Sequence, residues 1–188
     1  MQVLSRQEFE AAKEDFYEQI AGGAVFIYPT DTIYGIGCNA QDSAAVKKIR
    51  RLKERKDTPF SVIAPSKEWI RKNCKMDEKA EEWLGRLPGP LTLILRKKGN
   101  CVAKEVAPGL QTIGVRMPKH WFLDHVGELD IPIVTTSVNK RGEQYMTSLD
   151  SLDDEIKRGI DFVVYEGEKT GRPSKLVDLS DSFKIIER

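Results

Sequence analysis

In its 188 residues the sequence has two histidines, three cysteines and almost no net charge. Each shortage argues against a class of chemistry. His120 and His125 lie five apart and flank Trp121 and Asp124. Two histidines cannot build a histidine-rich metal centre of ordinary spacing, so structural roles are expected for both. Cys38, Cys74 and Cys101 are odd in number, widely spaced and contain no C-x-x-C. That pattern argues against a disulfide framework or a zinc site and predicts buried, reduced thiols in a cytoplasmic protein. No G-x-S-x-G occurs, so no Ser-His-Asp triad can be argued. No G-x-x-x-x-G-K-[ST] occurs, which removes the P-loop. No apolar run approaches the ~20 residues of a membrane span, and residues 1–19 lack the pattern of a secretory signal. Thirty basic and 29 acidic side chains leave a net charge of +1, so the chain as a whole is no polyelectrolyte binder.

What is present is organised around Tyr28-Pro-Thr-Asp-Thr-Ile-Tyr-Gly35. A short apolar run, Ala24–Ile27, leads into it and reads as a buried strand. Pro29 halts strand pairing, Thr30, Asp31 and Thr32 place short polar groups on a tight loop, and Gly35 permits close backbone approach. A polar loop at a strand end is where α/β proteins put ligands, although an ordinary turn would look the same. Gly35-Ile-Gly-Cys-Asn-Ala40 fits G-x-G-x-x-A, the dinucleotide fingerprint. We read it as a false match, because Pro29 and the polar loop separate it from the strand and no strand ends in an acid ~20 residues later.

Charge is distributed unevenly. Seven of the ten residues from Lys47 to Lys56 are basic (Lys47, Lys48, Arg50, Arg51, Lys53, Arg55 and Lys56). Such a run attracts phosphate on a nucleotide or on RNA, or is simply a solvated helix face.

Apolar spacing predicts helices over Gln7–Ile20, from Asp42 through Leu52, after Ser66, over Asp77–Leu87, Trp121–Val126 and Ser148–Arg158. Strands are expected at 24–28, 60–63, 91–95, 112–117, 131–136, 161–165, 175–179 and 184–187. Their irregular mixture, without repeats or linkers, predicts one α/β domain over residues 1–188, built on a large twisted mixed sheet with flanking helices.

Polar groups gather at the ends of these elements: Thr30-Asp31-Thr32, Lys53-x-Arg55, Thr112, Arg116 and Ser137-x-Asn139. Lys53 as a point charge and Arg55 as a fork suit a phosphate chain. Ser137 and Asn139 suit a phosphate or a sugar, and Arg116 could clamp a carboxylate.

At these residues the chain resembles the YrdC/YciO family, whose best-known members are threonylcarbamoyl-AMP synthases. The resemblance covers nearly the whole chain. It rests on Tyr28–Gly35, Leu52–Arg55 with Pro59, Leu87-Pro-Gly-Pro-Leu-Thr92, Gly114-Val-Arg-Met-Pro118, Thr136-Ser-Val-Asn139 with Gly142, and Pro173-Ser-Lys-Leu-Val-Asp-Leu179. It implies a YrdC-like fold and a nucleotidyltransferase that converts L-threonine, bicarbonate and ATP, with magnesium, into threonylcarbamoyl-AMP and pyrophosphate. The product serves tRNA modification through other proteins. By position, the resemblance assigns catalysis to Lys53 and Arg55. ATP contacts fall to Lys53, Arg55, Thr112, Ser137, Asn139, Tyr145 and Arg188, and substrate contacts to Thr32, Arg116, Thr135 and Ser174. The alternative is a YciO-like paralogue that binds nucleotide, tRNA or double-stranded RNA without synthase activity.

Overall fold

The computed structural model describes residues 1–181 and 183–187. In chain order its strands are β1 (Gln2–Leu4), β2 (Phe26–Tyr28), β3 (Gly35–Gly37), β4 (Ser61–Ile63), β5 (Leu91–Arg96), β6 (Thr112–Arg116), β7 (Ile133–Ser137), β8 (Phe162–Val164), β9 (Lys175–Asp178) and β10 (Lys184–Ile186). The helices are α1 (Arg6–Ala11), α2 (Lys13–Ala21), α3 (Ser43–Leu52), α4 (Lys67–Asn73), α5 (Glu78–Gly85), α6 (Phe122–Leu129) and α7 (Asp154–Gly159). Among the described residues ten strands make one mixed sheet, ordered β1-β8-β2-β3-β7-β4-β6-β5-β9-β10.

Strand alternation sorts side chains onto two faces. Ile27, Val62, Leu93, Leu95, Ile113, Val115, Val134, Val163 and Val177 point into the larger core, whose helical side includes Val46, Ile49, Ile70, Leu84 and Ile156. Phe26, Tyr28, Ile63, Ile133, Phe162 and Val164 point the other way, under Phe9, Phe16, Ile20, Phe122 and Val126 of α1, α2 and α6. This second core is aromatic: Phe26 stacks on Phe162 at 4.9 Å and Tyr28 on Phe122 at 4.7 Å.

Helix starts follow their caps. Asp42 accepts from the amides of Ala44 and Ala45, Ser66 from Trp69 and Asp77 from Ala80. Each satisfies amides that a helix N-terminus leaves without partners.

Four local readings are corrected. The first helix breaks at Ala12 (φ −120°, ψ 28°), and Phe9 before the break stacks on Phe16 after it at 5.3 Å. The stretch 148–158 is a 3-10 turn at Leu149–Ser151 followed by α7. Asp153 caps α7 anew through Glu155 and Ile156, so two start signals in succession restart the helix. Strand β1 was not expected, although it pairs in parallel with β8. Strand β3 was not expected either; it begins and ends on glycines, Gly35 and Gly37. They are there because the Tyr28 ring lies across them: a Cβ on Gly35 would meet that ring at 3.0 Å, and one on Gly37 would run into the Val134 carbonyl.

One connection shapes the site. Strands β8 and β9 are separated by six others in the sheet, about 34 Å at ~4.8 Å per strand. The ten residues 165–174 that join them reach roughly that far only when extended. This strap is pinned as it crosses. The Tyr34 hydroxyl donates to the Gly167 carbonyl (2.6 Å) and the Tyr145 hydroxyl to Gly171 (2.9 Å).

Candidate functional site

Helices α1, α2 and α6 cover only one end of their sheet face. Beyond them the same pleat carries Ser61, Thr92, Thr135 and Ser137 instead of aromatic residues. Together with Thr30, Tyr34, Gly35, Arg55, Phe60, Arg116, Tyr145 and Ser174 they line a cleft of about 350 Å³. Its floor is made of small hydroxyls and its two cations come from different elements.

Arg116 ends β6, in register with Ile63 of β4. It is 5% exposed. Its Nη2 donates to Asp31 Oδ1 at 2.6 Å and reaches Thr32 Oγ1 at 3.4 Å. Asp31 is itself fixed by the Lys119 amide at 2.9 Å. Arg116 Nε is buried with no partner. A buried guanidinium N–H without an acceptor carries the cost of its lost hydration.

Arg55 follows α3. Lys53 caps that helix, and Glu54 turns the chain at φ 52°, a conformation uncommon outside glycine. The loop is then held from inside. Arg50, stacked over Phe60 at 4.5 Å, donates to the carbonyls of Arg55 (3.1 Å), Lys56 (2.8 Å) and Thr58 (3.2 Å). Arg55 therefore stands on a braced loop, and its own guanidinium has no hydrogen bond or ion pair among the described residues. Burial, and after it the charge of Arg141, lower its pKa from the usual arginine value.

Lys53 and Arg55 do different things despite their spacing. Lys53 is fully buried. Its ammonium donates to the Ser137 carbonyl, to the Asn139 carbonyl (2.8 Å) and to Asn139 Oδ1 (3.0 Å). All three of its donors are spent on the end of β7. Burial, and then Arg55, push it down from 10.5 to about 7, against the pull of three oxygen acceptors. Asn139 is also internal: its Oδ1 accepts from Ser137 Oγ at 2.6 Å and its Nδ2 donates to the Glu143 carbonyl at 2.8 Å. Ser137 lines the cleft. Its hydroxyl proton goes to Asn139 Oδ1, which leaves the oxygen's lone pairs as acceptors.

Of the expected site residues, Arg55, Arg116, Thr135, Ser137, Tyr145 and Ser174 line one cleft. Thr32, Lys53 and Asn139 stand behind it in contact with residues that do. Thr112 shares the face of Arg116 two pleats away, opposite Arg96, and does not reach the cleft lining. Arg188 lies outside the described residues. Ser61, Thr92 and Tyr34 line the cleft without having been singled out. Their signal was a hydroxyl at alternate positions of otherwise apolar strands, as at Thr92 within Leu-Thr-Leu-Ile-Leu.

The basic run does not stay together. Lys47 pairs with Glu105 (3.4 Å) and Lys48 with Asp161 (3.1 Å), while Arg50 and Lys53 are buried. His120 bonds Glu166 at 3.0 Å and His125 bonds the Tyr17 hydroxyl at 2.7 Å. Cys38 and Cys74 are buried and Cys101 half-buried, all three free. No helix among the described residues is long and apolar enough to cross a membrane.

A ten-stranded mixed sheet among the described residues, with an arginine-bearing, hydroxyl-lined cleft on one face, defines an α/β protein of one recognisable class. The chain belongs to the Sua5/YciO/YrdC family, whose model, described as "Telomere recombination", matches residues 18–188. It is 34% identical over 190 residues to a Methanocaldococcus jannaschii protein whose name as a threonylcarbamoyl-AMP synthase is provisional, covering 97% of this chain and 87% of that protein. The crystal structure of Pyrococcus abyssi Sua5 complexed with L-threonine superposes with a TM-score of 0.84 at 33% identity, over 95% of this chain and 54% of that one. The chain thus spans about half of Sua5. Escherichia coli YciO superposes with a TM-score of 0.85 over 100% of this chain and 94% of that one. At 21% identity that likeness shows the fold alone.

Proposed function

We propose that this cleft makes threonylcarbamoyl-AMP from L-threonine, bicarbonate and ATP, releasing pyrophosphate. The observation that carries the reading is the pair of under-used arginines on one hydroxyl-lined floor: Arg55 with no anion and Arg116 with a free, buried Nε–H. A ligand with a phosphate chain at one end and a carboxylate at the other fits that pair. The family and the names of the relatives support the same choice.

In this reading Arg55 holds the triphosphate. Arg116, oriented by Asp31 and flanked by Thr32, takes the threonine carboxylate. Thr135 and Ser174 sit beside the amino acid, and Tyr145 closes the nucleotide side. Lys53 and Asn139 act by position, fixing Ser137 where it can accept from a ribose hydroxyl. Threonine's neutral amine bonds to the carbon of bicarbonate, a C–O bond of bicarbonate breaks, and its hydroxyl leaves with an amine proton as water, giving a carbamate. A carbamate oxygen attacks the α-phosphorus, the bond from that phosphorus to the bridging oxygen breaks, and pyrophosphate leaves with the electron pair. No covalent enzyme intermediate is required. Alignment of the two reactants and stabilisation of charge supply the rate.

Magnesium enters with ATP as part of the substrate. Among the described residues no group of three or more His, Cys, Asp or Glu side chains is placed to hold a metal. The ion would ride on the phosphates, which is its habit in such sites. The adenylate then passes to tRNA-modifying proteins of the cytoplasm, which transfer the threonylcarbamoyl group to a tRNA adenosine.

The test supplies carbon-labelled bicarbonate, L-threonine and Mg-ATP to the purified chain. Label is expected in an adenylate, matched by pyrophosphate and dependent on threonine. Absence of labelled adenylate overturns the synthase reading. Salt-sensitive retention of RNA in that case identifies a nucleotide- or RNA-binding paralogue.

A further inference from the structure

The strap that joins β8 to β9 is tied down at its second residue, Glu166. Its Oε1 accepts from His120 Nε2 at 3.0 Å and from the Lys169 ammonium at 2.6 Å. Its Oε2 accepts from the Trp121 indole N–H at 2.9 Å, and its amide donates to the Tyr34 hydroxyl at 3.0 Å. We propose that Glu166 is a positioning residue for the amino-acid end of the cleft: through His120 and Trp121 it fixes the Lys119 amide on Asp31, and Asp31 in turn aims Arg116.

His120 and Trp121 directly follow Lys119 in the short connection between β6 and α6. That connection is a compact turn, with the His120 amide on the Pro118 carbonyl at 2.9 Å and the Leu123 amide on the His120 carbonyl at 3.0 Å. Both side chains reach from it to the same carboxylate. The imidazole is set for this task. Its Nδ1 accepts from the Phe122 amide at 3.3 Å, so Nε2 carries the proton and donates to Glu166. The Trp121 ring stands edge-on to Phe122 at 5.9 Å and to His125 at 5.5 Å. The indole is thus rooted in the aromatic core and offers its N–H to the strap. Three consecutive residues form a bridge: Lys119 holds Asp31, and the next two hold Glu166.

What the bridge controls is how Asp31 divides its carboxylate. Oδ1 takes Arg116 at 2.6 Å and Oδ2 takes the Lys119 amide at 2.9 Å. A carboxylate free to choose pairs with a guanidinium through both oxygens. Committing Oδ2 to Lys119 holds Asp31 to a single contact, so the other donors of Arg116 are not drawn into an internal pair. The two side chains are only 6% and 11% exposed, where a lost or added hydrogen bond is felt more than at the surface. A small movement of Lys119 therefore decides whether Arg116 serves a ligand carboxylate or closes on Asp31.

Glu166 deepens the synthase reading and depends on its assignment of Arg116 to the threonine carboxylate, but the first measurement needs no ligand. Glu166→Gln keeps the volume and sets an amide NH2 against one of the two ring N–H donors; its melting temperature verifies folding. In the ligand-free variant, nitrogen-15 NMR is expected to show faster exchange of the Lys119 amide and a shifted Arg116 Nε–H signal. Calorimetry is then expected to show threonine weakened roughly tenfold, an ordinary coupling within one hydrogen-bond network, with ATP unchanged. Lys169→Gln takes a cation from the same carboxylate but lies on the strap itself, and should leave the Lys119 amide and threonine affinity as they were. In an Asp31→Asn background Glu166→Gln should weaken threonine little further, because its route is already cut. A merely structural glutamate would weaken threonine equally in both backgrounds. Unchanged Lys119 exchange, equal weakening of ATP, the same effects from Lys169→Gln, or additive loss in the double variant overturns the proposal. If the Lys119 and Arg116 signals respond as expected while the intact chain binds no threonine, the positioning path stands and the synthase reading falls. If threonine binds and is indifferent to Glu166→Gln, the proposal alone falls.

Discussion

One sheet face serves two purposes in this protein. At the β8-β2 end its inward positions are Phe26, Tyr28, Phe162 and Val164, sealed under α1, α2 and α6. At the β4-β6-β5 end the equivalent positions are Ser61, Thr92 and Arg116, open to a ligand. The pleat is continuous and the alternation unbroken between them. What differs is side-chain volume and cover. The open half can spare its face because the reverse side does the packing: Val62, Leu93, Leu95, Ile113 and Val115 are all buried in the larger core. A binding surface on a sheet is therefore a face released from packing rather than a separate structure.

That comparison can be strained from the covered end first. Phe162 touches Phe26 and Phe16, each at 4.9 Å. Phe162→Ala should cost about 3–5 kcal/mol in urea unfolding, a large share of a stability of the order of 5–15 kcal/mol. A smaller loss would mean that the aromatic cluster is loosely packed and that the two ends differ less than described.

Lys53 tests the boundary between scaffold and site. Lys53→Met keeps the volume but takes the lysine donor from the Ser137 and Asn139 carbonyls, while Asn139 Oδ1 keeps Ser137 Oγ, about 1–3 kcal/mol for each carbonyl left dry. The pH dependence has a definite sign. In the folded state Lys53 is lowered from 10.5 to about 7, so between those values the unfolded chain binds a proton that the native chain does not. Stability contributed by this group rises with pH across that window. The difference between the intact chain and Lys53→Met, followed from pH 7 to 10.5, should grow. A flat difference would show that Lys53 stays charged and that its acceptors outweigh its burial.

Much of this was legible in the sequence. The apolar runs Leu91–Leu95 and Thr112–Met117 are legible as strands β5 and β6, neighbours in the sheet, and Thr92 and Arg116 stand on one face of that pair. The cover was not legible, because the same period-2 pattern serves a sealed face and an open one. Nor was the separation of Lys53 from Arg55. Two residues apart after a helix suggested a shared phosphate. Glu54, in a left-handed conformation that its residue type does not announce, turns the chain so that Lys53 goes inside and Arg55 goes to the cleft. Strand β3 was hidden for a related reason: its glycines answer to the ring of Tyr28, a contact made across strands.

Arg55 gives an intermediate effect of a different kind. Its side chain has no partner to lose, so Arg55→Ala should leave unfolding unchanged and weaken ATP by about 1.5–3 kcal/mol in calorimetry. A stability loss with intact ATP binding would move Arg55 from the open end to the scaffold.

The smallest effect is expected at Thr135, where the two halves of the face meet. Its neighbour on the same strand face is Ile133, buried in the aromatic core, while Thr135 itself lines the cleft. Tyr28, on the sealed side of that boundary, donates its hydroxyl to the Val134 carbonyl at 3.0 Å. Thr135→Val changes shape little and removes one hydroxyl. If the open half is free of packing duty, unfolding should shift by no more than about 1 kcal/mol, the worth of one hydrogen bond, while threonine affinity falls several-fold. If stability instead falls as far as in Phe162→Ala with ligand affinity intact, the hydroxyls are core, and the division of this face into a sealed end and a binding end is wrong at its boundary.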